Sequence, residues 1–204
     1  MIALLLAAGA AQLPSYEPGD AFVFNDGRVE RVRGVSGERV TWSGIGRTTY
    51  ERSANPIVPI LAWKVAGVGG RRDVGEAARR LWPLAPGKTA RFPAVTIVDG
   101  KGGARRSAAF WKCGVGRPAP VAVPAGTFEA WPIQCERYSA STMRLVERVQ
   151  WDWAPELGHY VRRRVTLYAD GTTTEIRLAA ALSGDGATTR RLRALAAKAR
   201  AERR

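Results

Sequence analysis

The chain has 204 residues, 46% hydrophobic and 25% charged, which excludes a disordered or fibrous protein and suffices for one domain with a sizeable core. With 22 Gly and 12 Pro, short elements joined by turns are favoured, and no apolar run reaches the roughly 18 residues of a membrane-spanning helix. The net charge of +14 invites a nucleic-acid partner, but acids are interspersed along most of the chain, so solvated surface charge is the preferred account and nucleic acid is not expected.

Residues 1–10, MIALLLAAGA, read as a signal peptide. Ala8-Gly9-Ala10 fits the small-x-small cleavage rule and places the mature start near Ala11. Pro14, Pro18 and Gly19 then separate this segment from the first strand. The basic n-region is missing, and the alternative is a buried first strand or helix. Export to the periplasm is the expectation, without a lipid anchor, because no cysteine lies near the cleavage site. The remainder divides into a mostly antiparallel β domain at 11–186 and a basic helical tail at 187–204.

Along 20–52, Asn25-Asp26-Gly27 signals a tight turn, and Val40 and Trp42 alternate with Arg39, Thr41 and Ser43. This is a meander with one apolar face, and 48–52 adds a further strand. Asn55-Pro56 and Pro59 break the chain before the apolar run 60–65, and Gly67-Val68-Gly69-Gly70 reads as a loop. Residues 73–82 predict a short helix packed on a sheet, with Asp73 as cap, Glu76 completing a capping box and Pro83 ending it. Strands resume at 94–98 and 105–113 around the Gly-rich tip 99–103, and continue at 121–123, 127–138 and 144–153. A hairpin at 159–178 turns about Asp170-Gly171. Residues 187–204 predict a solvated helix anchored only by Leu192 and Leu195.

Cys113 and Cys135 are an even pair in strand segments, which in an oxidising compartment reads as a disulfide. Their spacing is not that of a redox or zinc motif, and with a single histidine no metal site or cofactor is expected. Gly100-Lys101-Gly102-Gly103 lacks the spacing of a phosphate loop and reads as a hairpin tip. His159 has no positioned nucleophile, second histidine or hydrolase motif beside it, so it is expected at a strand entry in a structural role. No catalytic residue is assigned, and the protein is expected not to be an enzyme.

Trp42, Trp111, Trp131, Trp151 and Trp153 all fall on predicted strands. The default place for them is the core of the sheet. The functional alternative is a concave face that holds an apolar ligand, because a curved sheet leaves a cavity where its helix does not fill it.

The stretch Val121-Ala122-Val123-Pro124-Ala125-Gly126-Thr127-Phe128-Glu129-Ala130-Trp131 resembles the strand entry of DUF3108-like exported bacterial β-proteins. Trp153-Ala154-Pro155-Glu156-Leu157-Gly158 with Tyr160-Val161, and Trp82-Pro83-Leu84 with Pro86-Gly87-Lys88, are similar to other pieces of that group. The resemblance spans 82–161 in short pieces. It implies an open antiparallel half-barrel like that of the lipoprotein-carrier superfamily, and it carries no activity or catalytic residue with it.

The combined expectation is a mainly β protein: a curved antiparallel sheet, or open half-barrel, with one short packing helix and a C-terminal basic helix. Its expected function is non-enzymatic binding in the bacterial envelope, of an apolar or amphiphilic ligand or of an envelope protein. The alternative is a structural or assembly factor that uses the sheet edge, with the basic tail on an anionic surface. A carboxylate-dependent hydrolase ranks third.

Overall fold

The computed structural model describes residues 11–46, 48–100 and 102–203. The signal peptide expected over 1–10 lies outside the described residues. The strands are β1 (Ala21–Phe24), β2 (Val29–Ser36), β3 (Arg39–Ser43), β4 (Thr49–Ser53), β5 (Ala62–Val65), β6 (Val68–Val74), β7 (Thr89–Gly100), β8 (Gly103–Val115), β9 (Ala119–Val123), β10 (Gly126–Ser139), β11 (Leu145–Ala154), β12 (His159–Leu167) and β13 (Thr173–Leu182). One α-helix, α1 (Thr189–Arg203), comes after them.

The sheet runs β11-β12-β13-β1-β2-β3-β4-β5-β6-β7-β8-β10, and β10 pairs back onto β11. Twelve strands therefore close into an antiparallel barrel, and the expectation of an open half-barrel is corrected. The closing strand is β10. Its 14 residues pair with β8 from Ile133↔Val115 to Ser139↔Ala109, and with β11 from Trp131↔Trp153 to Tyr138↔Leu145. Closure gives both edges of the sheet a partner, which an open sheet leaves unpaired. Alternation along a strand reports which face is apolar, but not which strand lies on the far side. Strand β9 stays outside the ring and pairs with the first five residues of β10.

Two local expectations also change. Asp73 does not cap a helix: it lies in β6, paired with Val95, and pairing with β7 keeps it extended. The helical segment after it is a single 3-10 stretch, Glu76–Leu81, whose start at Gly75 has no side-chain cap. Residues 68–70 are strand, not loop, because Gly70 leaves room for the ring of Trp63 on β5. A Cβ on Gly70 would lie 2.2 Å from that ring. The hairpin about Asp170-Gly171 and the turn at 25–27 form as expected.

Inward-facing positions build the core: Phe22, Phe24, Val32, Val40, Trp42, Phe92, Trp111, Ile133, Val149, Trp151, Trp153, Tyr160 and Leu178 among them. The outward wall is charged, with cross-strand ion pairs such as Arg148–Glu136 and Arg164–Glu175. Among the described residues it shows no apolar girdle of the kind that faces lipid. The expectation of a solvated tail is also revised. Leu192, Ala196 and Ala199 of α1 are buried, and a second small core joins Leu192 and Ala196 to Ala21, Val23 and Val29 on the outer face of β1 and β2.

Antiparallel order puts the turns β1–β2, β3–β4, β5–β6, β7–β8, β10–β11 and β12–β13 at one end of the barrel, called here the hairpin end. The longer connections 54–61, 75–88, 116–125 and 155–158 lie at the opposite end.

Candidate functional site

The loop 54–61 enters from the end opposite the hairpins and turns into the barrel, where Ile57 and Val58 join the core. Asn55 holds it there. Its Nδ2 donates to the Ala78 carbonyl at 3.2 Å, and its Oδ1 accepts from Trp82 Nε1 at 2.9 Å and from the Ile57 amide at 3.3 Å. The loop and the core beneath it leave the upper lumen unfilled. A cavity of about 660 Å³ remains, with Ile57, Val58, Trp111 and Trp151 among its apolar lining residues.

Five arginines line this cavity: Arg28, Arg52, Arg72, Arg137 and Arg163. Four are strand residues whose parity turns them inward, with Arg52 two residues after Tyr50, Arg72 two before Val74, Arg137 two after Cys135 and Arg163 two after Val161. One carboxylate, Glu147, lines it with them and accepts from Arg137 Nε at 2.8 Å. Arg52 donates to Glu30 at 3.2 Å, and Arg28 lies 3.5 Å from Asp26. Arg72 donates to Thr96 Oγ1 at 3.0 Å and to the Ile60 carbonyl at 2.9 Å, and its guanidinium lies over Trp63. Among the described residues neither Arg72 nor Arg163 has a carboxylate partner, and the shielded Nε of Arg163 has no acceptor at all. Burial lowers the proton affinity of both. Arg137 lowers that of Arg72 further, and Arg52 does so for Arg163. Crowded, partly desolvated guanidinium groups favour a bound anion, which relieves their repulsion and meets their fork-shaped donor sets.

Below this cavity lies a sealed polar cluster. Glu30, on β2, is buried between Arg52 and His159. Burial raises its carboxyl, but Arg52 and then His159 outweigh burial and hold it well below the usual carboxylate range. His159 is itself fully buried, stacked on Phe22 at 3.7 Å between ring centroids and 2.9 Å from the Tyr16 hydroxyl through Nδ1. Its Nε2 faces Glu30 at 3.5 Å. A carboxylate only accepts, so the Nε2–H tautomer fits and Tyr16 O–H donates to Nδ1. Burial pushes the imidazole pKa down, opposed in part by Glu30. His159 opens β12, as expected of a strand entry, but its side chain is a core group bonded across 143 positions of sequence.

The five tryptophans separate. Trp111 and Trp151 line the cavity. Trp42, Trp131 and Trp153 are packed in the core. Cys113 and Cys135 form the expected disulfide across the paired strands β8 and β10, with Cα atoms 4.0 Å apart. Sequence reasoning misses the cavity arginines, because basic residues ordinarily mark solvated surface. A signal exists for Arg163, which shares the parity of Val161 and Val165 on β12.

No family model and no curated protein matches the chain, so the DUF3108-like resemblance finds no matching family. The fold neighbours are YmcC-like. The hypothetical lipoprotein YmcC from Escherichia coli superposes with a TM-score of 0.54 at 11% identity, over 80% of this chain and 85% of that one. A Bacteroides fragilis protein described as having a YmcC-like fold gives 0.43 at 13% identity, over 85% and 100%. A chain from Parabacteroides distasonis gives 0.39 at 10%, over 85% and 99%. At 11% identity the likeness to YmcC is one of fold.

Proposed function

We propose that the barrel is a binding protein of the bacterial envelope whose lumen holds an anionic amphiphile. The carboxylate or phosphate group sits among Arg72, Arg137 and Arg163, and the apolar part lies against Trp111, Trp151 and Ile57. The observation that carries this reading is that two cavity arginines, Arg72 and Arg163, have no carboxylate partner among the described residues, and the shielded Arg163 Nε has no acceptor there. The cavity volume falls in the range of small-molecule sites. The tryptophans alone point to an apolar ligand; the arginines add the charge that such a ligand carries. The lone histidine is sealed beneath the cavity and offers no base to a lumen ligand, which supports a binding role. The assembly reading relies on open sheet edges, and barrel closure leaves β9 as the edge strand, flanked or interrupted by Pro118, Pro120 and Pro124.

The test is titration calorimetry with dodecanoate, dodecyl phosphate and dodecanol below their aggregation concentrations. The two anions are expected to bind at least tenfold more tightly than the alcohol, and Arg163→Met to weaken both by tenfold or more while melting like the parent. Equal affinity for the alcohol, or anion binding unchanged in Arg163→Met and Arg72→Met, overturns the proposal.

A further inference from the structure

The hairpin end of the barrel carries a second, external feature. Six large hydrophobic side chains are exposed among the described residues, and five of them lie at this end: Val65, Val68, Met143, Leu167 and Tyr168. They sit at the tips of the β5–β6, β10–β11 and β12–β13 hairpins. Only Val35 is elsewhere, near the opposite end of β2. Met143 is 62% exposed and Val65 54%, so these two side chains are not folded back onto the wall.

Charge at the same end is mainly positive. Lys64, Arg105, Arg106 and Arg144 are exposed beside these tips, and no ion pair engages them among the described residues. Two acids of the same end face a cation, and a third, Asp170, is bonded to a backbone amide and keeps its charge. Asp26 faces Arg28 at 3.5 Å, Asp99 faces Arg71 at 3.9 Å, and Asp170 accepts from the amide of Thr172. The end therefore presents apolar hairpin tips beside four unpaired cations and one unpaired carboxylate, Asp170, among the described residues.

We infer that the hairpin end of the barrel docks on an anionic lipid bilayer, with the Val65/Val68, Met143 and Leu167/Tyr168 tips entering the interface and Lys64, Arg105, Arg106 and Arg144 on the headgroups. One or two apolar side chains on each of three hairpins suit a fluid interface, which each tip can enter independently. Cations beside them match a negatively charged leaflet. Tyrosine, with an apolar ring and a polar tip, suits that depth. The inference rests on the outer surface and stands apart from the lumen ligand.

The experiment is flotation of the full chain with vesicles of phosphatidylcholine alone or with about 30% phosphatidylglycerol. Binding is expected on the anionic vesicles, at least tenfold weaker on the neutral ones and weakened by salt. Val65→Asp with Met143→Asp, and Arg105→Glu with Arg106→Glu, are each expected to lower binding at least fivefold. Arg105→Lys with Arg106→Lys should retain it, as should Val35→Asp at the other end and Arg190→Glu with Arg193→Glu on α1. Thermal melts establish that each variant is folded. Absent vesicle binding, equal binding to neutral vesicles, or loss only in the α1 variant overturns the inference; dodecanoate titration of the same variants shows separately whether the lumen still works.

Discussion

Arg52 on β4 donates to Glu30 on β2 at 3.2 Å, reaching past β3 inside the barrel. The pair joins two regions. On one side Arg52 lines the open cavity; on the other Glu30 faces the sealed His159. One buried carboxylate thus separates the cation-rich lumen from the aromatic core.

Removing that carboxylate leaves Arg52 buried and unpaired. Glu30→Gln is expected to cost about 3–5 kcal/mol, read by denaturant unfolding. Adding Arg52→Met should recover much of the loss, because a pair of neutral, well-packed side chains has no charge to desolvate. A double variant as unstable as the single would mean the loss comes from shape and not from charge.

Stability should fall with acid. Burial keeps the His159 pKa in the folded chain below its usual 6.5, so between that pH and its folded value the unfolded chain binds a proton that the native one does not. Folding is then favoured less as pH drops, by up to about 1.4 kcal/mol per pH unit. Glu30, also depressed, adds a loss of the same sign below about pH 4.5. Unfolding curves from pH 8 to 4 should show the first leg, and His159→Asn should flatten it.

His159→Asn should itself destabilise by about 2–4 kcal/mol at pH 7.5, because it removes the Phe22 stacking and leaves Tyr16 and Glu30 short of a partner. A cost under 1 kcal/mol in the same melts would place the residue nearer to solvent than its burial indicates.

Deleting 187–204 should lower stability by roughly 2–4 kcal/mol, since it uncovers Val23 and Val29 and removes the buried Leu192, Ala196 and Ala199. Arg200 also donates to the Asp26 carbonyl at 3.2 Å. The barrel should remain closed, as far-ultraviolet dichroism of the shortened chain would show.

Reduction tests the β8–β10 seam. The Cys113–Cys135 bond closes a loop of 22 positions beside the strand that closes the barrel. Cys113→Ala with Cys135→Ala should cost about 2–4 kcal/mol in chemical unfolding, mainly by freeing the unfolded chain.

Much of the secondary structure is legible in the sequence because it is local. Two-residue alternation marks strands such as 145–153, and Asn25-Asp26-Gly27 and Asp170-Gly171 mark their turns. The Cys113–Cys135 bond is implied by an even pair in strand segments. The features that no local pattern shows are long-range. Whether the sheet stays open or closes depends on β10 having a partner on both sides, and nothing within β10 encodes that second pairing. Val65 and Met143 share an end only because the barrel's antiparallel order brings their hairpins there. His159 reads locally as a strand entry, yet its partners Tyr16, Phe22 and Glu30 lie more than a hundred residues away. Arg52, Arg72, Arg137 and Arg163 are scattered surface-type residues in sequence. They become a cation-lined cavity because strand parity points them inward and barrel closure points them at one another.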